Sequence, residues 1–182
     1  METALIIIDI QNDYFPNGAN PLENSNEAVI QAKKILDLFR HKKLPIIHIQ
    51  HISRKAGATF FLPDTLGAEI HNTLKPIVGE QIIEKNSPNS FRNTSLLSYL
   101  KDNAITNLVI CGMMTHMCVD ATVRAAKDLD FSCTLIGDAC TTKNLEYSGC
   151  KIAATEVHIS FLAALSYFYA NVISADKYIE LN

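Results

Sequence analysis

The sequence predicts an α/β fold in which one doubly wound, mostly parallel sheet of about six strands lies between two layers of helices. Two observations support this prediction. Short runs rich in β-branched residues alternate along the chain with longer amphipathic stretches, and the first and fourth runs are almost wholly apolar. Parallel strands that are covered by helices on both faces have this continuous apolar character. Because no linker, repeat or low-complexity tract interrupts the pattern, we expect one domain over residues 1–182.

Each element follows from its own stretch of this pattern. Predicted strands cover residues 4–10, 44–50, 80–85, 107–112, 131–138 and 171–175, and predicted helices cover residues 24–41, 94–102, 117–128 and 146–169. In the first helix, Val29, Ala32, Leu36 and Phe39 fall on one face. The exception to regularity is the long connection 51–79, which carries several glycines and prolines. Long connections in compact domains are commonly functional, so this segment is a candidate part of a site.

Charge and cysteine content exclude several classes of protein. The net charge is −3 and the pI is near 6.0, without the basic surface that a nucleic-acid-binding protein needs. The first residues enter an apolar strand with no basic flank, which predicts neither a signal peptide nor a membrane span. The five cysteines are odd in number and form no C-x-x-C pair, so we expect reduced thiols and a cytoplasmic protein.

The apolar content predicts self-association. Hydrophobic residues make up 48% of the chain, and the aromatic-rich segment 159–170 has more apolar face than one sheet surface needs to cover. We therefore expect a homodimer or a higher homo-oligomer.

Three predicted strand ends carry chemically active side chains. Asp9 lies at the end of the first strand, Lys85 ends the third, and the fourth leads through a turn to Cys118. In a doubly wound sheet, ligands bind beyond the carboxyl ends of the strands. If these strands are neighbours, a carboxylate, an ammonium and a thiol meet at one edge of the sheet.

Such a set of side chains can cleave an acyl bond. The amino end of the predicted helix 117–128 and the positive charge of Lys85 would both favour the thiolate of Cys118, the form that attacks. Asp9 would accept the thiol proton and return it to a leaving amine. Backbone N–H groups of the preceding turn would bind the oxyanion of a tetrahedral intermediate.

Each of these residues also has a purely structural interpretation. Asp9 can cap a turn, Lys85 can be a solvated strand end, and a buried cysteine such as Cys118 is common in cores. We keep the core interpretation for the other four cysteines, at positions 111, 133, 140 and 150.

Four segments, in the same order along the chain, resemble a known family. They are IIIDIQNDYF (6–15), EKNSPNSF (84–91), VICGMMTHMCVDATVRAA (109–126) and IGDAC (136–140). Together they resemble the isochorismatase-like cysteine hydrolases, which include nicotinamidases and N-carbamoylsarcosine amidase. The similarity runs from residue 5 to about residue 175.

This resemblance implies roles for individual residues. It implies an Asp–Lys–Cys catalytic triad of Asp9, Lys85 and Cys118. It also implies an oxyanion hole formed by the backbone N–H groups of Met114 and Cys118, with a cis peptide bond between Met113 and Met114. Candidate substrate-pocket residues are Phe15, Phe60, Phe61, Phe91, Met113, His116 and Met117. Core packing is the alternative for each of them, above all for Phe91.

The resemblance does not extend to a metal site. Nicotinamidases of this family bind a divalent metal through an Asp and His residues just after the second strand. Here that stretch offers His48 and His51 but no acidic residue before Asp64. On a strand, His48 and His51 would also point to opposite faces. We therefore expect no metal and no other cofactor.

These features predict a metal-independent hydrolase of a small, non-peptide amide or carbamoyl C–N bond, which acts on a small-molecule substrate through a thioester intermediate. One alternative is an isochorismatase-type vinyl-ether hydrolase that uses Asp9 as its acid. Another is a non-catalytic binding module on the same fold. The sequence contains no G-x-G-x-x-G, P-loop or G-x-S-x-G motif to support a nucleotide-binding protein or a serine hydrolase.

Overall fold

The computed structural model describes residues 2–182, and a six-stranded parallel sheet forms its centre. The sheet strands are β1 (Glu2–Ile8), β2 (Ile46–His51), β3 (Gln81–Lys85), β4 (Ile105–Met113), β5 (Ser132–Thr141) and β8 (Asn171–Ile173). They are arranged in the order β3-β2-β1-β4-β5-β8 with every neighbouring pair parallel. The prediction of a doubly wound parallel sheet is confirmed.

Helices cover both faces of this sheet. They are α1 (Ser25–Lys42), α2 (Leu96–Asp102), α3 (Asp120–Asp128), α4 (Ala154–Phe168) and α5 (Ala175–Glu180). Side chains of β1 alternate between two cores: Leu5 and Ile7 pack with α1 and α5, whereas Ile6 and Ile8 pack with α2, α3 and α4. A strand that is buried on both faces needs apolar residues at every position, which explains the run ALIII in β1.

The strand order reverses between β1 and β4. The chain builds β1, β2 and β3 toward one side of the sheet and then returns to add β4, β5 and β8 on the other. Crevices at such a reversal, beyond the carboxyl ends of the strands, are where ligands bind in open α/β sheets. The residues that follow β1 and β4 are therefore candidates for a binding site.

The largest error of the sequence analysis lies in the predicted helix 146–169. Only its second half is helical, as α4, and a hairpin precedes it, formed by β6 (Leu145–Tyr147) and β7 (Cys150–Ile152). The two turn residues, Ser148 and Gly149, have φ values of 51° and 78°. Two consecutive positive φ angles are what a tight two-residue hairpin turn requires, and glycine meets that requirement easily.

Most other element boundaries shift by one to three residues, and two of these differences matter for the site and the last strand. Helix α3 begins at Asp120 instead of residue 117, because residues Thr115–Val119 form a π-helical turn. The last strand ends at Ile173, and residues predicted as its continuation begin α5, which the sequence analysis missed. No helix among residues 2–182 combines the length and the apolar character needed to cross a membrane. All five cysteines are free thiols.

Candidate active site

The three side chains singled out at strand ends lie together beyond the carboxyl edge of the sheet. Asp9 directly follows β1 with a left-handed φ of 50°, and its N–H donates to the carbonyl of Ile49 on β2. Lys85 is the last residue of β3, and Cys118 lies in the π-helical turn after β4. All three residues are buried, with exposed fractions of 0% for Asp9, 2% for Lys85 and 5% for Cys118.

The Lys85 side chain reaches across the end of β2 to meet Asp9, because β2 lies between β1 and β3. Its Nζ atom is 2.7 Å from Oδ2 of Asp9. A carboxylate oxygen of Asp9, the Cys118 sulfur and a ring nitrogen of His51 all lie within 4.8 Å of one another. We call Asp9, His51, Lys85 and Cys118 the Asp9 cluster.

The Asp9 carboxylate is buried but poorly satisfied. Its contact with Lys85 is an ion pair whose angles do not meet those of a hydrogen bond, and within residues 2–182 neither carboxylate oxygen has a hydrogen-bond partner. Buried carboxylates are normally hydrogen-bonded, and exceptions point to a functional reason. The Asp9 oxygens thus retain unused acceptor capacity inside the site.

The charged groups of the Asp9 cluster shift the pKa values of Lys85 and Cys118. Burial alone would lower the pKa of Lys85, but the Asp9 carboxylate raises it above its ordinary value, so the ammonium stays charged. Burial raises the pKa of the Cys118 thiol, Asp9 raises it further, and Lys85 acts in the opposite direction. The pKa of Cys118 therefore stays above its ordinary value although Lys85 favours the thiolate, because burial and Asp9 together outweigh Lys85.

The turn that carries Cys118 has an irregular backbone. The peptide bond between Met113 and Met114 is cis. The N–H groups of Met117 and Val119, on either side of Cys118, both donate to the carbonyl oxygen of Met114, at 3.0 and 3.3 Å. The Thr115 hydroxyl donates to the carbonyl of Thr141 on β5, which fixes the turn against the sheet.

His51 belongs to the site, although the sequence analysis considered it only as a metal ligand. It is the last residue of β2 and lies in register with Lys85 of β3. Its Nδ1 atom is 3.1 Å from Nζ of Lys85 and 4.0 Å from Oδ2 of Asp9. The signal that could have identified it is the strand order, since a strand inserted between β1 and β3 must end beside their terminal residues.

Aromatic side chains from the long connection border the cluster. Phe61 is buried, and its ring centroid is 5.9 Å from that of His51. Phe60 contacts Phe61 edge to face at 5.0 Å. Tyr14, which the sequence analysis missed, packs 4.6 Å from Phe61, and the charges of Cys118 and Asp9 add to burial in raising its pKa. Phe61, with Phe60 and Tyr14 packed against it, thus forms an aromatic wall beside His51.

The buried carboxylate of Asp13 holds this aromatic wall in place. Its Oδ2 atom accepts the N–H of Phe61 at 2.6 Å, and its Oδ1 atom accepts the N–H of Ala19 at 3.1 Å. Phe61 has a left-handed φ of 54°, which is uncommon for a bulky residue. The hydrogen bond that Asp13 accepts therefore fixes an unfavourable backbone conformation of Phe61 beside the Asp9 cluster.

The remaining candidate pocket residues have other neighbours. Phe15 stacks on His71 at 3.8 Å, and Phe91 stacks on Phe131 at 6.0 Å, the core packing that was its alternative. Met113 is fully buried in the core on the α1 side of the sheet, whereas Met117 is 40% exposed. His116 is held by a hydrogen bond to the Thr142 hydroxyl, and its ring lies edge-on to Phe161.

The histidines of β2 do not fit a divalent metal. His48 is buried and hydrogen-bonded through Nε2 to Glu80, on the opposite face of the strand from the Asp9 cluster. Asp9, His51 and Cys118 are close enough to share an ion, but the Lys85 ammonium is 2.7 Å from Asp9 and 3.1 Å from His51. A positive charge thus already lies against two of these three ligand atoms.

Comparison with known proteins identifies relatives along nearly the whole chain. The isochorismatase domain family matches residues 3–173. An uncharacterized isochorismatase family protein of Bacillus subtilis is 44% identical over 180 residues, which is 99% of this chain and 100% of that protein. A crystal structure of an isochorismatase hydrolase homologue from Oleispira antarctica superimposes with a TM-score of 0.95 at 46% identity, covering 98% of this chain and 96% of that one. Nicotinamidase 3 of Arabidopsis thaliana is 25% identical over 96% of this chain and 85% of its own length.

Proposed function

The chain belongs to the isochorismatase-domain family of hydrolases, and from the Asp9 cluster we propose that it is a metal-independent cysteine hydrolase of small amide or carbamoyl C–N bonds. The observation that carries this proposal is the buried Asp9 carboxylate, which lacks a hydrogen-bond donor among residues 2–182 and lies within 4.8 Å of the Cys118 sulfur. A carboxylate base beside a thiol is the arrangement that general-base activation of a nucleophile requires.

The first half of the reaction forms a thioester. Asp9 takes the proton of the Cys118 thiol as the sulfur attacks the carbonyl carbon of the substrate. We assign the binding of the resulting oxyanion to the backbone N–H groups of Met114 and Cys118, in the turn after β4. Asp9 then gives its proton to the nitrogen, the C–N bond breaks, and ammonia or an amine leaves.

The second half regenerates the thiol. Water attacks the thioester carbonyl while Asp9 accepts one of its protons, the C–S bond breaks, and the carboxylic or carbamic acid is released as Cys118 regains a proton. The Lys85 ammonium lowers the pKa of the Cys118 thiol, which must lose a proton for the sulfur to attack. No step draws on a metal or another cofactor.

An amide substrate is supported by a relative as well as by the site. The similarity to a nicotinamidase extends over 96% of this chain. A thiol nucleophile forms a thioester from an amide, whereas cleavage of a vinyl ether needs only an acid, for which Asp9 alone would suffice. Cys118 beside Asp9 thus favours amide chemistry over the ether-hydrolysis alternative and over a non-catalytic binding module.

The test is a screen for ammonia release over a panel of small primary amides and N-carbamoyl compounds. We expect at least one to be hydrolysed by the wild-type protein and by Cys133→Ala, which removes a buried thiol of β5. Cys118→Ala should be inactive on the same compounds. Ammonia release that persists in Cys118→Ala would rule out the cysteine mechanism. A panel without any product would favour the ether hydrolase or the binding module, since neither releases ammonia.

We also propose that the protein is a cytoplasmic homo-oligomer in which α4 meets a second copy of the chain. This helix leaves Ile159, Tyr167 and Phe168 exposed at 65%, 93% and 64%. Burying such side chains contributes about 1.5–3 kcal/mol each. We expect sedimentation as a dimer or larger at micromolar concentration and dissociation on Tyr167→Glu; a monomeric wild-type protein would contradict this.

A further inference from the structure

We infer that His51 is a positioning residue that holds the Lys85 ammonium toward Asp9 and Cys118. This inference rests on the proposed function, since it concerns the same reaction. Its basis is the set of atoms around Nζ of Lys85, which contains one neutral nitrogen ligand in addition to oxygen atoms.

The Lys85 ammonium has three N–H groups and no acceptor. One donates to the backbone carbonyl of Ser87 at 3.0 Å, and one donates to Nδ1 of His51 at 3.1 Å. The Asp9 carboxylate pairs with the charge of the ammonium, its Oδ2 atom 2.7 Å from Nζ. The ammonium is completely buried, so a missing acceptor could not be replaced by bulk water. Ser87 contributes a backbone atom, and therefore His51 is the neutral side chain that determines where the charge lies.

This contact fixes the tautomer of His51. Because Lys85 can only donate, Nδ1 must accept and cannot carry a proton, so the neutral ring has its proton on Nε2. Burial lowers the pKa of His51, the Lys85 charge lowers it as well, and Asp9 acts in the opposite direction. A neutral ring at pH 7 thus agrees with the geometry.

The groups that face His51 come from every element around it. Asp9 follows β1, Lys85 ends β3, and Cys118 comes from the turn after β4. On its open side, the ring lines a cavity of about 560 Å³ together with Arg54 and Lys55. A second proton on His51 would add a positive charge among three cations and turn an N–H toward the Lys85 ammonium, which would push that ammonium away from its place.

The inference can be tested without knowing the substrate, through the pH dependence of Cys118 alkylation by iodoacetamide, followed by mass spectrometry of the Cys118 peptide. In His51→Ala the ammonium loses an acceptor and the thiolate loses part of its stabilisation. We expect alkylation to slow by about tenfold at pH 7 and its pH profile to move to higher pH. His51→Asn should restore most of the rate, because its side-chain oxygen can accept the same N–H.

His71→Ala is the matched control, since His71 is also half-buried but stacks on Phe15 away from Lys85. It should alkylate like the wild-type protein. A wild-type profile in His51→Ala would overturn the inference. A second measurement needs no variant: the ¹⁵N–¹H spectrum of the wild-type histidines should place the His51 proton on Nε2, and a proton on Nδ1 would equally overturn it.

Failure of the proposed function gives a different result. If Lys85→Met leaves the alkylation profile of Cys118 unchanged, the charge of Lys85 does not act on the thiol, and the triad chemistry fails whatever His51 does. If Lys85→Met shifts the profile but His51→Ala does not, the triad stands and only the positioning role of His51 is rejected.

Discussion

Two carboxylates, those of Glu80 and Asp9, lie near opposite ends of β3 and differ in their hydrogen-bond partners. Glu80, just before the strand, accepts hydrogen bonds from Arg40 at 2.6 and 3.0 Å, from the N–H of Ile77 at 3.0 Å and from His48 at 2.9 Å. Asp9, beside the carboxyl end of the strand, has an ion pair with Lys85 and no hydrogen-bond donor within residues 2–182. We call Arg40, His48 and Glu80 the Glu80 cluster.

This difference distinguishes Glu80, whose carboxylate stabilises the fold, from Asp9, whose carboxylate we propose takes part in the reaction. Burial would raise the pKa of Glu80, but Arg40, the N–H of Ile77 and His48 hold it at about 2, so this carboxylate stays ionised in the folded protein. A carboxylate that is stabilised by so many donors is a poor base. Asp9 lacks those donors and is therefore available to receive a proton. Four predictions test this contrast.

The largest expected effect is the loss of turnover when the Asp9 cluster is altered. Asp9→Asn removes both the acceptor of the thiol proton and the donor to the leaving nitrogen, so kcat should fall by at least about a thousandfold. Since the two residues act as a unit, the double variant Asp9→Asn, Cys118→Ala should be little worse than either single variant. Multiplicative losses in the double variant would contradict a shared proton transfer. Circular dichroism checks that the variants are folded.

Glu80→Gln should give the reverse result, with stability lost and activity kept. The substitution leaves the Arg40 charge without its partner, and breaking a buried pair costs about 3–5 kcal/mol. Because the Arg40 side chain is 22% exposed, we expect about 2 kcal/mol in urea unfolding. Glu84→Gln is the control, since Glu84 pairs with Arg54 in an exposed contact and should change stability by less than about 0.5 kcal/mol. A Glu80→Gln protein with normal stability but impaired turnover would reverse the assignment of the two clusters.

The contrast between the clusters also shows how far the sequence leads. Alternating apolar runs predicted the sheet, and the strand ends identified Asp9, Lys85 and Cys118 as potential partners. The hairpin before α4 was missed because Leu145 and Ile152 also fit helical spacing, so the two turn residues with positive φ were not recognised. The local sequence pattern of this segment does not distinguish a short hairpin from a helix.

The missing parts of the site depend on tertiary structure. His51 could not be assigned to Lys85 without the strand order, which inserts β2 between β1 and β3. The raised pKa of Cys118 could not be predicted either, because charge and helix-terminus arguments are local, whereas desolvation depends on everything packed around the sulfur. The long-range partners of Glu80, from α1 and β2, were likewise outside the reach of sequence patterns.

A smaller effect should appear in the pH dependence of stability. Burial lowers the pKa of His48 from its ordinary value of 6.5, so the folded protein binds its proton less readily than the unfolded chain does. The contribution of His48 to stability is therefore complete above pH 6.5 and is lost as the pH falls through its folded-state pKa. Its slope reaches at most about 1.4 kcal/mol per pH unit.

Burial also lowers the pKa of the histidines at positions 51, 71, 116 and 158, so their contributions to stability are likewise lost as the pH falls. Glu80 acts in a lower window, between its ordinary value of 4.5 and about 2. Urea unfolding at intervals between pH 8 and pH 4 checks the prediction. His48→Gln should reduce the slope below pH 6.5, and an unchanged slope would mean that His48 titrates alike in both states.

The smallest expected effect is that of chelation, which should leave turnover unchanged. Of the two histidines near the end of β2, His48 is committed to Glu80 on one face, and His51 accepts an N–H from Lys85 on the other. A divalent cation bound to Asp9, His51 and Cys118 would have to displace the Lys85 ammonium from between them, at a high electrostatic cost in a buried site. Exhaustive dialysis against EDTA should therefore preserve activity, and added zinc should not raise it. Loss of activity with EDTA and its recovery with zinc would contradict this prediction. It would mean that the Lys85 ammonium leaves its position in the working enzyme and that His51 binds the metal instead of accepting an N–H from Lys85.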